Sequence, residues 1–356
     1  MNPATKIKVF VGMSGGVDSS VAAALLQDQD YHVVGVYFTP WKPENSRAFC
    51  DWEQDRRDAM QVAAKLGIEF CTWDLSKEYG TEVADYMIRE YRAGRTPNPD
   101  ILCNEKLKFG IFLKRALKEG ADFIATGHYA QIEHNFESGI HHLKKATDQN
   151  KDQTYFLYRL NQEQLARSLF PIGHLTKPRV REIAAARDLI TYNKKDSQGV
   201  CFVGMLDMKD FLTEYIEPRK GDVILDETRE IIGTHDGVMY YTIGQRHGLD
   251  LKKDGGPYYV LSKDLTTNII TVTTKKTDLN QCEITAHDWH WIEHPRNDTP
   301  MTAKIRYRGE EIPVTIEKLS ETVFKIYSRQ PMHAPASGQS VVIYQENTVI
   351  GGGVIA

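Results

Sequence analysis

Apolar positions alternate between helical and strand-like spacing over the first two-fifths of the chain, and keep only the shorter, strand-like rhythm from about residue 205. The run Ile7–Gly12 predicts a strand, the alanine- and leucine-rich run to Leu26 a helix, and His32–Phe38 a second strand. After a polar loop over 39–51, Trp52–Leu66 predicts an amphipathic helix with Ala59, Met60, Ala63 and Leu66 on its apolar face, stopped by Gly67. Ile68–Leu75 reads as a strand and Lys77–Ala93 as a helix. Beyond a proline-rich loop, Asn104–Glu119 reads as a helix and Asp122–Thr126 as a strand. Such alternation implies a doubly wound parallel α/β sheet with ligands at the carboxyl ends of its strands. The Gly12–Ser19 turn, the 39–51 loop and Gly127-His128 all fall at such ends.

The later runs are short: Val238–Ile243, Tyr258–Leu261, Ile269–Thr273, Met301–Tyr307, Ile312–Lys318, Val323–Tyr327 and Ser340–Tyr344, broken by Gly, Asp, Asn and Pro. They predict an all-β region, and Ile350–Ile355 a closing strand whose glycines permit a bulge or a close approach. The expected division is an α/β domain over 1–205, a small β-rich domain over 206–277 and a β-barrel over 278–356. No stretch is apolar enough to suggest a membrane span, and the first strand begins too early for a leader, so the expected location is cytoplasmic.

A net charge of −4 argues against nucleic-acid binding by bulk charge, but the basic residues cluster. Arg89 to Lys118 and Lys177 to Lys195 are each rich in Lys and Arg, which suits either a partner docked on one face or solvated helix surfaces. The five cysteines (50, 71, 103, 201 and 282) form no C-x-x-C. A disulfide scaffold, a zinc site or an iron–sulfur cluster is therefore not expected. Cys50, Cys71 and Cys282 read as structural.

Three segments carry candidate chemistry. SGGVDS (14–19) joins strand to helix, a geometry that aims backbone N–H groups and the helix dipole at an anion. It lacks the Lys of a Walker A loop and the spacing of a Rossmann fingerprint. Gly15 and Gly16 allow close approach to a phosphate, Ser14 and Ser19 add hydroxyls, and Asp18 either holds magnesium or orders the turn. In GRTPNPDILCN (94–104), Pro97 and Pro99 stiffen a loop that delivers Asp100 and Cys103 to a helix start, with Asn104 a candidate N-cap. Lys106, Lys108 and the helix dipole are conditions that lower a thiol pKa, while a buried structural Cys103 is the alternative. In KKDSQGVCF (194–202), charged and small residues lead to Cys201 beside two lysines, as in a mobile surface loop.

The SGGVDS strand–turn–helix resembles the PP-loop of ATP pyrophosphatases. Taken in order with GRTPNPDILCN, ATGHY (125–129), KDQTYFLY (151–158), KKDSQGVCF and GQRHGL (244–249), it makes essentially the whole chain resemble the tRNA-specific 2-thiouridylase family (MnmA/TrmU). The resemblance implies an N-terminal PP-loop domain, a small central β domain and a C-terminal barrel that contacts tRNA. It implies ATP with Mg2+, held by Gly12, Met13, Ser14, Gly15, Gly16, Val17, Asp18, Ser19, Phe38 and Gly127. Several relatives carry Met where Phe38 stands, which leaves the adenine pocket's shape open.

The resemblance also implies a nucleophilic Cys103, a persulfide-carrying Cys201 and a proton-shuttling Asp100. Asn98, Pro99 and Asp100 would meet the target base. His128, Lys151, Asp152, Gln153, Arg306, Tyr307 and Gln339 would contact tRNA. The implied reaction is adenylation of the wobble uridine's C2 oxygen, release of pyrophosphate, and attack by a cysteine persulfide to give 2-thiouridine and AMP. The partners are a tRNA and a sulfur donor, either a cysteine desulfurase or a relay protein. Two other readings stand beside it: a PP-loop enzyme with a nitrogen nucleophile, which the two placed cysteines disfavour, and a non-catalytic RNA-binding or sulfur-carrier protein, which the intact SGGVDS loop disfavours.

Overall fold

The computed structural model describes residues 6–41, 52–195, 208–251 and 255–356. In the first part, β1 (Lys8–Gly12), α1 (Val17–Asp28), β2 (His32–Thr39), α2 (Trp52–Leu66) and β3 (Glu69–Asp74) follow in sequence. Three short α-helices come next: α3 (Ser76–Tyr79), α4 (Asp85–Arg92) and α5 (Pro99–Leu102). Then come α6 (Leu113–Lys118), β4 (Phe123–Thr126), the hairpin β5 (Ala130–His134) and β6 (His141–Lys145), α7 (Gln162–Ala166), β7 (Ser168–Leu169) and α8 (Lys177–Ala186).

Five of these strands form an all-parallel sheet in the order β3-β2-β1-β4-β7. Alternate residues bury on opposite faces. Phe10, Val34, Val36 and Ile124 join one core, while Val9, Val11, Val33 and Ala125 join the other beneath α1, α2 and α8. Burial on both faces is what a doubly wound sheet requires. The chain leaves β1 for β2 on one side and returns to β4 on the other, so the crevice between the ends of β1 and β4 is the topological switch point.

Several expected boundaries shift. Met60 is 43% exposed, and α2 buries Asp58, Ala59, Val62 and Ala63 instead. Between α3 and α4 the helix widens to π geometry over Gly80–Ala84, where Trp41 packs against Gly80. The helix that bears Cys103 begins at Pro99, not at Asn104, and is π-wound over Cys103–Phe112. Asn104 is therefore no N-cap: it is buried within the helix and donates its amide to the Phe156 carbonyl (3.1 Å). Proline at the first helical position, with its missing N–H, explains the earlier start.

The central region holds α9 (Met208–Thr213) and β8 (Gly221–Leu225), β9 (Ile231–His235), β10 (Asp250–Leu251), β11 (Tyr259–Asp264) and β12 (Ile269–Thr273), in the sheet order β10-β9-β8-β12-β11. The expected strand over Val238–Ile243 is not one. Val238–Tyr240 is a 3₁₀ turn: Gly237 has φ +145°, and the Asn268 side chain accepts the Val238 N–H.

The last strands are β13 (Asn280–Trp291), β14 (Met301–Lys304), β15 (Ile312–Lys318), β16 (Phe324–His333), β17 (Ser340–Gln345) and β18 (Thr348–Ile355). They pair in the order β13-β16-β15-β14-β17-β18, and β18 returns to β13 to close a six-stranded barrel. Closure removes free edges. The glycines of β18 allow it: a Cβ on Gly352 would lie 2.3 Å from the Val341 carbonyl.

The β5–β6 hairpin, unforeseen in the sequence, extends the barrel sheet from the α/β side through Val349 opposite Leu143. Val342, Tyr344 and Val349 of the barrel share one core with Phe10, Val36 and Ile124. The barrel is thus seated on one face of the parallel sheet. Among the described residues, no helix is long and apolar enough to cross a membrane.

Candidate nucleotide and thiol site

The Gly12–Ser19 loop is fixed from all sides. Met13 is buried and donates its N–H to the Val36 carbonyl (2.8 Å), tying the loop to β2. The Ser14 N–H donates to Ser19 Oγ (3.2 Å), and the hydroxyls of Ser19 and Ser20 both donate to the Gly16 carbonyl. Gly15 has φ +75°, and a Cβ there would stand 2.2 Å from the Asp55 carbonyl of α2, so only glycine fits. Gly16 caps α1 with extended backbone and Val17 opens the helix, leaving its first N–H groups facing the crevice. Gly127, at the end of β4, closes on the same helix start: a Cβ on it would lie 2.6 Å from the Ser19 nitrogen.

Asp18 orders this turn. Its carboxylate accepts from Lys177 Nζ (2.8 Å to each oxygen) and from the Tyr129 hydroxyl (2.9 Å). Lys177, counted in the sequence as part of a surface basic run, is buried at the start of α8. Among the described residues, no group of three His, Cys, Asp or Glu side chains is placed to hold a metal ion. The loop offers an anion cradle.

Phe38 connects this loop to the thiol. Its ring lies 3.4 Å from a Cβ position on Gly12 and packs edge-on against Phe112 (centroids 4.9 Å apart), in the π-wound segment that Cys103 opens. Cys103 itself is fully buried in an apolar cluster with Leu75, Tyr79, Val83 and Leu107. The helix start that was expected at the thiol lies earlier, at Pro99, so Cys103 sits inside the helix with its sulfur enclosed.

The loop before it is held from three directions. Glu90 grips Arg95 through two hydrogen bonds (2.5 and 2.8 Å), which holds the Glu90 carboxyl below the usual range. From the central sheet, Lys263 Nζ donates to the carbonyls of Gly94 (2.6 Å) and Tyr241 (2.5 Å), and the Thr242 hydroxyl meets that of Thr96 (3.0 Å). From the barrel, the Ser337 carbonyl accepts the Thr96 N–H (2.8 Å), and Gln339 donates its amide to the Thr96 carbonyl (2.8 Å). Asn98 and Asp100 are half-buried at the end of this braced loop, and Pro99 is buried. Burial lowers the Lys263 ammonium to about 8. Lys263 and Thr242 lie some 140 residues or more from the loop in sequence, and nothing local marks them.

The remaining expected residues differ in burial. His128 is only 8% exposed: its Nδ1 meets the Thr126 hydroxyl (2.7 Å), its ring packs against Phe109 and Phe170, and burial, then Lys108, hold it neutral. Asp152 is buried too. It accepts from the Ala146 N–H and the Thr154 hydroxyl, while burial raises its carboxyl. Lys151 and Gln153 are half-buried beside it, and Gln153 accepts the Tyr129 N–H (2.9 Å). Arg306 and Tyr307 lie in a turn beyond β14 instead of within the expected strand; Arg306 is exposed, and Tyr307 packs on Phe156 (4.4 Å).

Ion pairs absorb much of both basic stretches: Arg95 with Glu90, Lys106 with Glu105, Arg115 with Glu119, Lys177 with Asp18, Arg179 with Glu182, and Arg187 with Asp28. Lys194 reaches Asp55 (2.7 Å) and Asp58 of α2, securing the approach to KKDSQGVCF beside the anion loop. Cys201 and Cys50 lie outside the described residues. Cys71 is half-buried on β3, where burial raises its thiol, and Cys282 is exposed on β13.

Family comparison agrees with this layout. Residues 7–205 match the tRNA methyl transferase HUP domain, 209–274 the tRNA methyl transferase PRC-barrel domain, and 281–355 the aminomethyltransferase beta-barrel domain. A tRNA-specific 2-thiouridylase MnmA from Pediococcus pentosaceus is 44% identical, covering 100% of this chain and 96% of its own. One from Methylobacillus flagellatus is 45% identical over 98% of this chain and 99% of its own. Among solved structures, a 4-thiouridine synthetase–RNA complex with bound ATP is similar over 58% of this chain and 50% of that chain, at 16% identity and a TM-score of 0.35. That likeness is too low to argue from.

Proposed function

The chain belongs to the tRNA-specific 2-thiouridylase family, MnmA, and from that premise we propose that it transfers sulfur to C2 of a tRNA wobble uridine at the expense of ATP. The observation that supports this most directly is the Phe38–Phe112 contact, by which the anion loop and the Cys103 helix abut at one end of the parallel sheet.

A uridine carbonyl oxygen is a poor leaving group. In this reading the α1 N-terminus and the loop N–H groups hold the nucleotide phosphates while the uridine O2 displaces pyrophosphate. Magnesium bound with ATP would offset the phosphate charge, with Asp18, which Lys177 holds in the turn, the nearest carboxylate of the loop to it. The terminal sulfur of a Cys201 persulfide then attacks C2 and AMP leaves, joining C2 to Cys201 through two sulfurs. The Cys103 thiolate attacks the Cys201 sulfur, the S–S bond breaks, and the nucleoside keeps the outer sulfur, leaving a Cys103–Cys201 disulfide for an external thiol to reduce. Asp100 stands three residues before Cys103, a position suited to taking its proton. Because Cys103 is fully buried, RNA engagement has to uncover it. A base flipped out of the anticodon stack would meet Asn98, Pro99 and Asp100. His128 and Asp152 would act on RNA through the segments they hold, as their burial dictates. The sulfur donor is a desulfurase or relay protein, and the setting is cytoplasmic.

The test is nucleoside mass spectrometry of unmodified tRNA incubated with the protein, Mg-ATP and a persulfide source, alongside Cys103→Ser and Cys201→Ser. 2-Thiouridine from wild type alone supports both thiol roles. Pyrophosphate release without sulfur insertion would keep the adenylation half and reject the thiol assignments. A methylated nucleoside would overturn the reading.

A further inference from the structure

The GQRHGL segment takes no part in the site described above, yet its turn is built with care. Tyr241 donates its hydroxyl to the Gly248 carbonyl (3.0 Å). The Gln245 side chain accepts the Thr242 N–H (3.0 Å) and donates to the His247 carbonyl (2.8 Å). The backbone pairs with β11 at both Gly244 and Gln245, through Val260, and Gly244 and Gly248 supply φ values of +82° and +84°. This fixed turn carries Arg246 and His247, both exposed, and neither has an ion-pair partner among the described residues. Most basic side chains of the Arg89–Lys118 and Lys177–Lys195 stretches are engaged, so these two stand apart. Rigid backbone beneath exposed side chains of this kind suits recognition better than solubility.

The turn's position is equally specific. Thr242, four residues before Arg246, touches Thr96 of the braced loop (3.0 Å). A Cβ on Gly244 would lie 2.7 Å from Ala334 Cβ, so the turn abuts the barrel next to His333. Lys276 and Arg306 both act electrostatically on His333, which places three basic side chains in one neighbourhood. The turn that carries Arg246 and His247 therefore touches both the braced loop, through Thr242 on Thr96, and the barrel, through Gly244 on Ala334.

We infer that Arg246 and His247, with Lys276, form a phosphate-contact surface that grips the RNA backbone beside the base site. The inference rests on the proposed tRNA reading. A net charge of −4 gives no bulk attraction to RNA, so local contacts of this kind must supply it.

The test is binding of an unmodified tRNA transcript by fluorescence anisotropy across a potassium chloride series. It compares the full-length protein with Arg246→Gln, the double variant Arg246→Gln/His247→Gln, and Arg229→Gln as a control from the same sheet. The double variant is expected to bind roughly 5- to 20-fold more weakly, with a log Kd against log salt slope smaller by about one for each lost phosphate contact. Its ATP affinity without RNA should equal wild type, which also reports intact folding. Wild-type affinity and slope in the double variant would overturn the inference while leaving the reading intact. If wild type itself neither binds nor thiolates tRNA, the reading fails, and the inference with it.

Discussion

The anion loop and the Cys103 loop are both tight, glycine- or proline-bearing turns, but they are held by different means. The first is set by neighbours within its own α/β domain: the Val36 carbonyl, the Asp55 carbonyl, Gly127 and its own serines. The second is braced by Thr242 and Lys263 of the central sheet and by Ser337 and Gln339 of the barrel. The loop proposed to bind nucleotide is thus local to one domain, whereas the geometry of the proposed base and thiol site depends on three. Anything that displaces the barrel or the central sheet reaches the second loop first.

The largest expected effect comes from Gly127→Ala. Its methyl would stand 2.6 Å from the Ser19 nitrogen and 2.7 Å from the Asp18 carbonyl carbon. Pyrophosphate release should fall by about 100-fold, equivalent to ~2.7 kcal/mol. Near-normal nucleotide affinity in isothermal titration would show that the loop is less tightly built than this.

Gly338→Ala acts on the other side of the comparison. With φ +89° and a Cβ 2.9 Å from the Thr96 nitrogen, it pushes the barrel against the braced loop. Sulfur transfer should drop about tenfold, or ~1.4 kcal/mol, while ATP affinity without RNA stays at wild type. Equal losses in both would erase the distinction between the loops.

Gln339→Ala is gentler. It strips the Thr96 carbonyl of a donor and should destabilise the protein by roughly 1 kcal/mol, read as a lowered urea midpoint. No change would mean that water replaces the amide.

A pH dependence probes the same brace from the central sheet. Burial lowers Lys263 to about 8, against 10.5 for the ordinary ammonium. Between these values the unfolded chain binds more protons than the folded one, so stability contributed at this site rises with pH through that window. Below pH 8 the cost of burying the charge is fully present. Lys263→Met should therefore compare most favourably with wild type below pH 8 and lose ground up to pH 10.5, measured as the difference in thermal midpoint. A flat difference would show that the amine reaches solvent.

The sequence determined the parallel sheet, the anion loop and the barrel class, because alternating burial, positive-φ glycines and strand-like spacing are properties of short windows. Gly15 could be picked out because its role depends on backbone shape. The tertiary structure alone decided that Lys177 neutralises Asp18, that Asn104 lies inside a helix begun by Pro99, that Cys103 is enclosed, and that the β5–β6 hairpin extends the barrel sheet. It also placed Lys263 against Gly94. The physical reason is the range of the interactions. A lysine counted along the chain reads as surface charge, and only the packing of distant segments shows which carboxylate or carbonyl it will meet.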